Sequence, residues 1–431
     1  MDREFYGRIA DGMRIGLMLT IVVSGCIAIV SVRLRHLFAR YRERNIIVVI
    51  LMISVLLQIV LMLWLNPPPF SDSMYYVDHA RRLAQTGSYS GPDGELTAFW
   101  PVGYPALLAF LHTISGDMLL TGRIVNILSS VLIILITRSL FANELDREER
   151  LLLVAVLAFH PMILFGASPL MTEQVFLVGI LGVMLLLTRN MRRWWNGILM
   201  GLLLAGASFL RPAGLLFAVA LVFVPIAHRR FRTSTILTVI VIVAALAPWT
   251  IRNARTFGHF VPIATNGGFN FLMGNHRDAS GGLNFDFQYP NGEINEAEAS
   301  RIAYAQAWED ICSAPFDALL RLPMKLAYSY RRGDAAIIWS IKPVHTKAPN
   351  WLLAFFFLSG NLFWYVIVGV SILALIVGRG GLQSRFLRTI LLSVAAAVFL
   401  IVFVYVGGER YVFPLLPIHA FLFVRFFRRS S

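Results

Sequence analysis

Long apolar runs are the feature that most constrains this chain. Hydrophobic residues make up 57% of the sequence and charged residues only 14%, whereas ordinary soluble domains are about a quarter charged. A bilayer core about 30 Å thick takes about 20 apolar residues of helix, so the sequence predicts about eleven transmembrane helices. They fall near residues 13–32, 46–65, 118–140, 150–166, 170–188, 194–210, 212–228, 234–250, 351–378, 386–406 and 411–427. In lipid these segments must be helical, and we expect an all-α polytopic membrane protein.

Arginines concentrate in alternate connections between these runs, although the formal charge of the whole chain is +14. The basic clusters lie near 33–44, 138–150, 189–193, 229–232, 379–388 and 425–429. The short connections between them carry almost no such excess. This alternation is typical of the positive-inside rule, so we expect the N-terminus and both long loops to be extracytoplasmic. The basic excess then anchors topology and attracts anionic membrane lipids, and we expect no nucleic-acid partner.

The pattern divides the chain into four parts. Residues 1–45 supply an additional membrane helix and a basic cytoplasmic loop, and residues 46–250 a membrane core that includes the outer loop 67–117. Residues 251–350 form a second extracytoplasmic loop, and 351–431 the C-terminal membrane helices. Both outer loops carry apolar residues at helical spacing, including 295–312 and 315–330. This spacing predicts amphipathic helices on the membrane surface. Basic residues are nearly all Arg and no N-glycosylation sequon occurs, which favours a bacterial plasma membrane.

Four charged residues stand where predicted helices meet the predicted outer face. Asp72 opens the first outer loop in NPPPFSDSMYYVDH, and Glu173 stands in ASPLMTEQVF. Arg211 lies in the turn of SFLRPAG, and Arg410 precedes Tyr411 in VGGERYVFPLLP. Each also has a purely structural interpretation, as a helix cap or as an interfacial anchor.

Together these residues favour chemistry on a lipid phosphate. The planar guanidinium of arginine binds phosphate through paired hydrogen bonds, and a carboxylate can act as a general base toward a hydroxyl. We therefore expect Asp72 and Glu173 to be catalytic. The candidates for binding the donor phosphate are Arg211, Arg410, Lys325 and Arg252. The candidates for lining the substrate pocket are Tyr76, Tyr104, Tyr411 and Asn275.

With these residues in place, the chain resembles the GT-C membrane glycosyltransferases. More narrowly, it resembles the bacterial branch related to protein O-mannosyltransferases and to the lipid A aminoarabinose transferases. The resemblance runs from about residue 46 to the end of the chain. The matching segments are FSDSMYYVDHARRLAQTGSY with PVGYP, PLMTEQVF, FLRPAG, APWTIRNARTFGHFVPIATNGGFNFLMGN and GGERYVFPLLP.

This resemblance implies inverting transfer of a sugar from a polyprenyl-phosphate donor to a hydroxyl of a lipid, glycan or protein acceptor on the extracytoplasmic face. It implies that Asp72 is the catalytic carboxylate and that Glu173 orients the acceptor or assists a cation. It also implies that Arg211 holds the donor phosphate, with Arg410 and Tyr411 as the closing Arg-Tyr pair of the family.

Cofactor use and the alternative functions stay open. No certain cofactor is implied; a divalent cation, Mg²⁺ or Mn²⁺, would have only Asp72 and Glu173 as ligands. The residues near Trp100–Tyr104 lack the acidic-basic pair that some relatives carry before the proline turn. A lipid-linked sugar flippase or transporter would also explain many helices, although it predicts repeats and midplane charges. A non-catalytic membrane subunit with the same fold is a further alternative.

Overall fold

The computed structural model describes residues 3–38, 41–189, 194–226, 232–290 and 294–428. In these ranges the regular structure is helical, apart from an isolated bridge between Ser90 and Leu96. The α-helices are α1 (Arg3–Phe38), α2 (Glu43–Leu65), α3 (Asp72–Thr86), α4 (Gly103–Ser115), α5 (Met118–Leu140), α6 (Arg147–Ala158), α7 (Pro161–Leu164), α8 (Glu173–Arg189), α9 (Trp194–Leu210), α10 (Gly214–Ile226), α11 (Arg232–Phe257), α12 (Gly267–Asn275), α13 (Glu296–Ser313), α14 (Pro315–Tyr330), α15 (Ala335–Ile341), α16 (Asn350–Ile376), α17 (Arg385–Val404) and α18 (Leu416–Phe426). Short 3₁₀ helices lie at Lys342–Lys347, Glu409–Tyr411 and Phe413–Leu415.

Five helices in the described ranges are long and apolar enough to cross a bilayer, namely α2, α5, α11, α16 and α17. Three shorter apolar helices cover Trp194–Leu210, Gly214–Val224 and Phe413–Phe426. The chain is therefore a multi-pass, all-α membrane protein, as the apolar runs predict. The predicted count of eleven spans is not confirmed. Within the predicted run 13–32, side chains beyond residue 22 lie outside the described residues.

One predicted membrane helix is interrupted. The apolar run near 150–166 predicts a continuous helix, but α6 ends at Ala158 and the four-residue α7 begins at Pro161. Proline has no N–H to donate, and its ring disfavours helical geometry at the preceding residue. His160 takes extended backbone angles there, and its Nδ1 accepts a hydrogen bond from the Met162 N–H at 3.1 Å.

The contact between α1 and α16 depends on glycine. A Cβ atom added to Gly12 would lie 2.0 Å from the Asn350 carbonyl oxygen, and one added to Gly16 would lie 2.7 Å from the Ala354 Cβ. Such small residues let two helix backbones approach closely in lipid. Arg8 extends the same contact by donating a 2.9 Å hydrogen bond from its Nε to the Asn350 side chain. The two helices therefore run side by side in the same direction.

The four charged residues singled out above all lie at helix ends. Asp72 begins α3 and Glu173 begins α8. Arg211 lies in the turn between α9 and α10, and Arg410 lies between α17 and α18. These positions meet at one end of the helix bundle, which we call the site end.

Substitution of Gly12 tests the packing of α1 on α16. We expect Gly12→Ala to lower the stability of the purified protein by about 1–3 kcal/mol, because the new methyl group collides with backbone. Gly7→Ala is the matched control, since an added Cβ there meets no atom within 4 Å. Alanine at that position should be neutral or slightly stabilising. Thermal unfolding in lipid nanodiscs measures both, and equal effects of the two variants would contradict the packing described here.

Candidate active site

Two ion pairs lie at the site end of the bundle. Arg211 Nη1 donates to Glu173 Oε1 at 2.6 Å, and Arg410 Nη1 donates to Asp72 Oδ2. The carboxylate side chains are largely shielded, with 5% of Glu173 and 14% of Asp72 exposed. A buried charge left without a partner is strongly unfavourable. Each carboxylate is therefore held in place by the arginine opposite it.

Aromatic rings connect the two ion pairs. The Tyr411 ring centroid lies 5.9 Å from the Arg211 Cζ and 5.5 Å from the Arg410 Cζ. Tyr76 is buried one helical turn after Asp72, and burial together with the charges of Asp72 and Glu173 raises the pKa of its hydroxyl. The residues Asp72, Tyr76, Glu173, Arg211, Arg410 and Tyr411 thus form one cluster, which we call the site cluster.

Tyr104 lies beneath the site cluster. It is fully buried, and its ring packs edge-to-face against Tyr76 with centroids 5.6 Å apart. Its hydroxyl lies 3.4 Å from Asn126 Oδ1. Trp100 packs on the other side of Tyr76, with a centroid distance of 5.8 Å. The predicted pocket residue Tyr104 therefore supports the ring of Tyr76.

The site cluster leaves polar atoms unsatisfied. Within the described part of the chain, Glu173 Oε2 and Arg410 Nε are buried and have no hydrogen-bond partner. The cavity beside Glu173, Arg211, Arg410 and Tyr411 has a volume of about 20 Å³, which is enough for about one water molecule. A larger ligand must therefore separate the ion pairs, and an anionic one would gain the guanidinium groups as partners.

Unusual backbone conformations precede both carboxylates. In the described ranges, the non-glycine residues with positive φ are Asn66 at 38°, Ser71 at 57° and Leu170 at 51°. Asn66 and Ser71 precede Asp72, and Leu170 precedes Glu173. Each such conformation costs about 1–3 kcal/mol, persists only when surrounding contacts impose it, and is frequent at functional sites.

Arg123, on α5, forms hydrogen bonds to both loops that precede the carboxylates, the loop before Asp72 and the loop before Glu173. Its guanidinium donates to Asn66 Oδ1 and to the Pro67 carbonyl at 2.7 Å each, and to the Ser168 carbonyl at 3.3 Å. The side chain is buried. Sequence reasoning missed this residue, although an arginine inside the apolar run TGRIVNILSS is itself a signal, because charges within membrane helices are costly.

Lys325 and Asn275 do not join the site cluster. Lys325 Nζ donates to Asn275 Oδ1 at 2.9 Å and to the Phe403 carbonyl at 2.8 Å. The lysine is 0% exposed, and burial, with Arg321 nearby, lowers its pKa to about 7. Their polar groups are used to hold α14 against the end of α17. The structure therefore does not place them where a donor phosphate or substrate pocket was predicted.

Arg252 also lies apart from the site cluster. Its guanidinium donates to the carbonyls of Thr97 and Tyr89 at 2.8 Å and 3.0 Å, and its Cζ lies 4.7 Å from the Trp249 ring centroid. Glu296 binds the same loop, accepting from the Thr97 hydroxyl at 2.8 Å. The structure thus uses Arg252 to fasten the loop between α3 and α4 to α11.

The candidate metal ligands are not arranged as a metal site. Among the described residues, no group of three or more His, Cys, Asp or Glu side chains comes together. Asp72 and Glu173 each face an arginine. Mg²⁺ and similar hard cations prefer several oxygen ligands around the ion. This donor set does not fit a dedicated divalent cation.

Removal of the Arg123 side chain tests its role in holding the two loops. We expect Arg123→Ala to lower stability by about 3 kcal/mol, because three oxygen acceptors, two of them in buried hydrogen bonds, lose a charged donor. Arg81→Ala is the control, since Arg81 forms an exposed pair with Asp78 on α3 and should change stability by less than about 0.5 kcal/mol. Thermal unfolding in nanodiscs gives both values. A neutral Arg123→Ala would show that the loops hold their conformation without it.

No protein-family model and no curated protein sequence matches the chain. Solved structures do match. The oligosaccharyltransferase of Archaeoglobus fulgidus, in complex with Zn and sulfate, aligns with a TM-score of 0.51 and 16% identity over 88% of this chain and 48% of that chain. AglB from the same organism, in complex with an inhibitory peptide and a dolichol-phosphate, aligns with a TM-score of 0.50 and 15% identity over 90% and 50%. ArnT from Cupriavidus metallidurans aligns less well, with a TM-score of 0.42 at 14% identity.

The chain spans about half the length of the oligosaccharyltransferases that it matches. At such low sequence identity the likeness shows the fold alone. The predicted resemblance to the GT-C glycosyltransferases is confirmed at that level, since the oligosaccharyltransferases belong to this class. The chain therefore has the helical membrane fold of GT-C glycosyltransferases.

Proposed function

We propose that the chain is an inverting glycosyltransferase that moves a sugar from a polyprenyl-phosphate donor to a hydroxyl of a lipid, glycan or protein acceptor. We place the reaction on the extracytoplasmic face of a bacterial plasma membrane. The observation that supports this most is the position of two carboxylate–guanidinium pairs beside an apolar groove formed between apolar helices. The fold agrees with glycosyl transfer, because its structural neighbours are glycosyltransferases.

The apolar groove lies among α4, α8, α9 and α11 and has a volume of about 620 Å³. Its lining residues are Val102, Gly103, Ala106, Leu107, Val175, Gly206, Phe209, Leu210, Ala245, Pro248 and Trp249. Leu210 directly precedes Arg211, and Val175 follows Glu173 by two positions. An isoprenoid chain in this groove would bring its phosphate to the site cluster. One structural neighbour is itself in complex with a dolichol-phosphate, which agrees with a lipid-linked donor.

The proposed reaction is a single displacement at the anomeric carbon. The acceptor oxygen forms the new bond to that carbon while the bond from carbon to the phosphate oxygen breaks. Asp72 takes the proton of the acceptor hydroxyl, and the electron pair of the broken bond leaves with the phosphate. Arg211 and Arg410 stabilise the negative charge of the leaving phosphate, a contribution that is commonly several kcal/mol. One base suffices because phosphate leaves as an anion, whereas glycosidases that expel an alcohol also need an acid.

The resting ion pairs suggest how donor binding prepares the base. In the resting site, Arg410 is paired with Asp72. A donor phosphate would compete for Arg410 and also offer a partner to its unsatisfied Nε. Asp72 would then be released from its pair and be free to accept the proton of the acceptor hydroxyl. Glu173 Oε2, buried and without a partner in the described chain, is available to accept a hydrogen bond from a hydroxyl of the acceptor or sugar.

Asparagine at position 72 tests the proposed base. We expect Asp72→Asn to lower transfer at least about 100-fold, because general-base catalysis contributes about 10²–10⁴-fold. Asp78→Asn is the matched control, since Asp78 lies on the same helix and forms only an exposed pair with Arg81. Purified variants are incubated with a panel of polyprenyl-phosphate sugars and acceptors, and products are measured by mass spectrometry. Transfer by Asp72→Asn at the wild-type rate would disprove this role.

The same wild-type preparation separates the alternative functions. Movement of labelled lipid across vesicles without product formation would favour a flippase. Absence of both product and lipid movement across the panel would favour a non-catalytic subunit.

Filling the apolar groove tests where the donor lipid binds. An added Cβ on Gly206 meets no atom within 4 Å, so Gly206→Leu can place its side chain in the groove without distorting the helix. We expect this variant to raise the KM for the polyprenyl donor several-fold while the acceptor KM stays unchanged. Gly369→Leu on α16 is the control, because that glycine is equally open and lies outside the groove. Equal donor KM values in the two variants would place the lipid elsewhere.

A further inference from the structure

Helix α14, Pro315–Tyr330, buries its polar face against the protein and exposes its apolar face. Its buried residues are Arg321, Lys325 and Ser329, which recur every four positions along one face. The opposite face exposes large apolar side chains, with exposures from 50% for Met324 to 80% for Phe316. We call this the α14 apolar face and define it by Phe316, Leu319, Leu320 and Met324.

The buried polar face makes its hydrogen bonds within the protein, although Arg321 Nε and Nη2 are buried without a partner in the described chain. Lys325 Nζ binds Asn275 and the Phe403 carbonyl, and Arg321 Nη1 lies 3.3 Å from the Arg277 carbonyl. Ser329 Oγ accepts a hydrogen bond from the Gly408 N–H at 3.1 Å. An aqueous surface would favour the opposite orientation, because water solvates charged groups and apolar area gains by burial. In lipid, apolar side chains gain nothing from turning inward, and polar groups must find partners inside.

The C-terminal end of α14 packs against the middle of a membrane-span candidate. The Tyr330 carbonyl accepts a 3.0 Å hydrogen bond from Trp364 Nε1, and the Arg331 carbonyl accepts one from the Tyr365 hydroxyl. Both donors belong to the membrane-span candidate α16. At 1.5 Å per residue, Trp364 lies about 21 Å along that helix from Asn350 and about 18 Å from Ile376. The contact is therefore well inside the span.

The middle of α14 packs at the end of another membrane-span candidate. Lys325 contacts Phe403, the second-last residue of the span α17. The two membrane-span candidates that α14 contacts, α16 and α17, also expose apolar side chains, including Val366 and Leu400. The α14 apolar face is thus carried by a helix that packs on two apolar membrane helices.

We propose that the α14 apolar face is a membrane-docking surface, inserted among the lipids of the leaflet at the site end of the bundle. Its occupant is bulk lipid at the boundary between head groups and acyl chains, where amphipathic helices with large apolar side chains bind. The opposite face holds the segment before Arg410, through Ser329 to Gly408 and through a 3.4 Å ion pair between Arg331 and Glu409. Lipid contact would therefore steady the segment that carries Arg410. The docking does not depend on the proposed glycosyl transfer.

Spin labelling tests this docking in the full-length protein. Cys26 and Cys312 are replaced by Ala and Ser, and single cysteines are introduced by Leu320→Cys, Leu392→Cys and Arg301→Cys. Leu392 is an exposed residue of the span α17 and is the lipid control; Arg301 is an exposed charged residue of α13 and is the water control. Each variant is labelled with a nitroxide and reconstituted into vesicles of phosphatidylethanolamine and phosphatidylglycerol. Power saturation then measures collisions with oxygen, which partitions into lipid, and with a water-soluble nickel chelate.

We expect the label at position 320 to resemble that at 392, with oxygen collisions exceeding nickel collisions several-fold. The label at 301 should show the reverse. Dominant nickel collisions at position 320 would show an aqueous surface and overturn the proposal. Low collision rates with both reagents would show that protein, such as a partner or a second copy, covers the face, and would also overturn it. Met324→Cys probes the same face if the label at 320 prevents folding.

Discussion

The ion pair between Asp72 and Arg410 is the contact on which the candidate site depends, because its partners are separated by 338 residues. One carboxylate begins α3, and the guanidinium stands in the segment before α18. Each charge would be strongly unfavourable if it were buried alone, so the pairing holds the early and late helices together at the site end. The pair between Glu173 and Arg211 adds the ends of α8 and α9 to the same place.

The resting site is stable but incomplete. Its charges are balanced in pairs, yet a carboxylate oxygen of Glu173 and the Arg410 Nε are without partners in the described chain, and buried polar groups normally have one. The strained loops at Asn66, Ser71 and Leu170 are held in part by hydrogen bonds from the buried guanidinium group of Arg123. An anion that entered would exchange one ionic partner for another. A phosphate that binds the arginines therefore leaves their carboxylates without ionic partners, and in the proposed reaction Asp72 gains the proton of the acceptor hydroxyl instead.

Much of the helical layout could be predicted from local sequence. The runs near 118–140 and 194–210 coincide with helices Met118–Leu140 and Trp194–Leu210, because a backbone in lipid must satisfy its hydrogen bonds within a helix. The run near 150–166 was predicted wrongly as one helix, since hydropathy does not register that Pro161 removes a donor. The spacing in 315–330 predicted an amphipathic helix on the membrane surface, and the structure adds that Arg321, Lys325 and Ser329 form its buried face.

The sequence by itself determined that the chain is an all-helical membrane protein, and it placed Asp72, Glu173, Arg211 and Arg410 near helix ends. Only the tertiary structure decided which charges pair, and it directed Lys325 and Asn275 to each other instead of to the site cluster. The reason lies in the range of the forces involved. The demand of lipid for internal hydrogen bonds acts on every apolar run locally, whereas ion pairing depends on how helices from distant parts of the chain pack together.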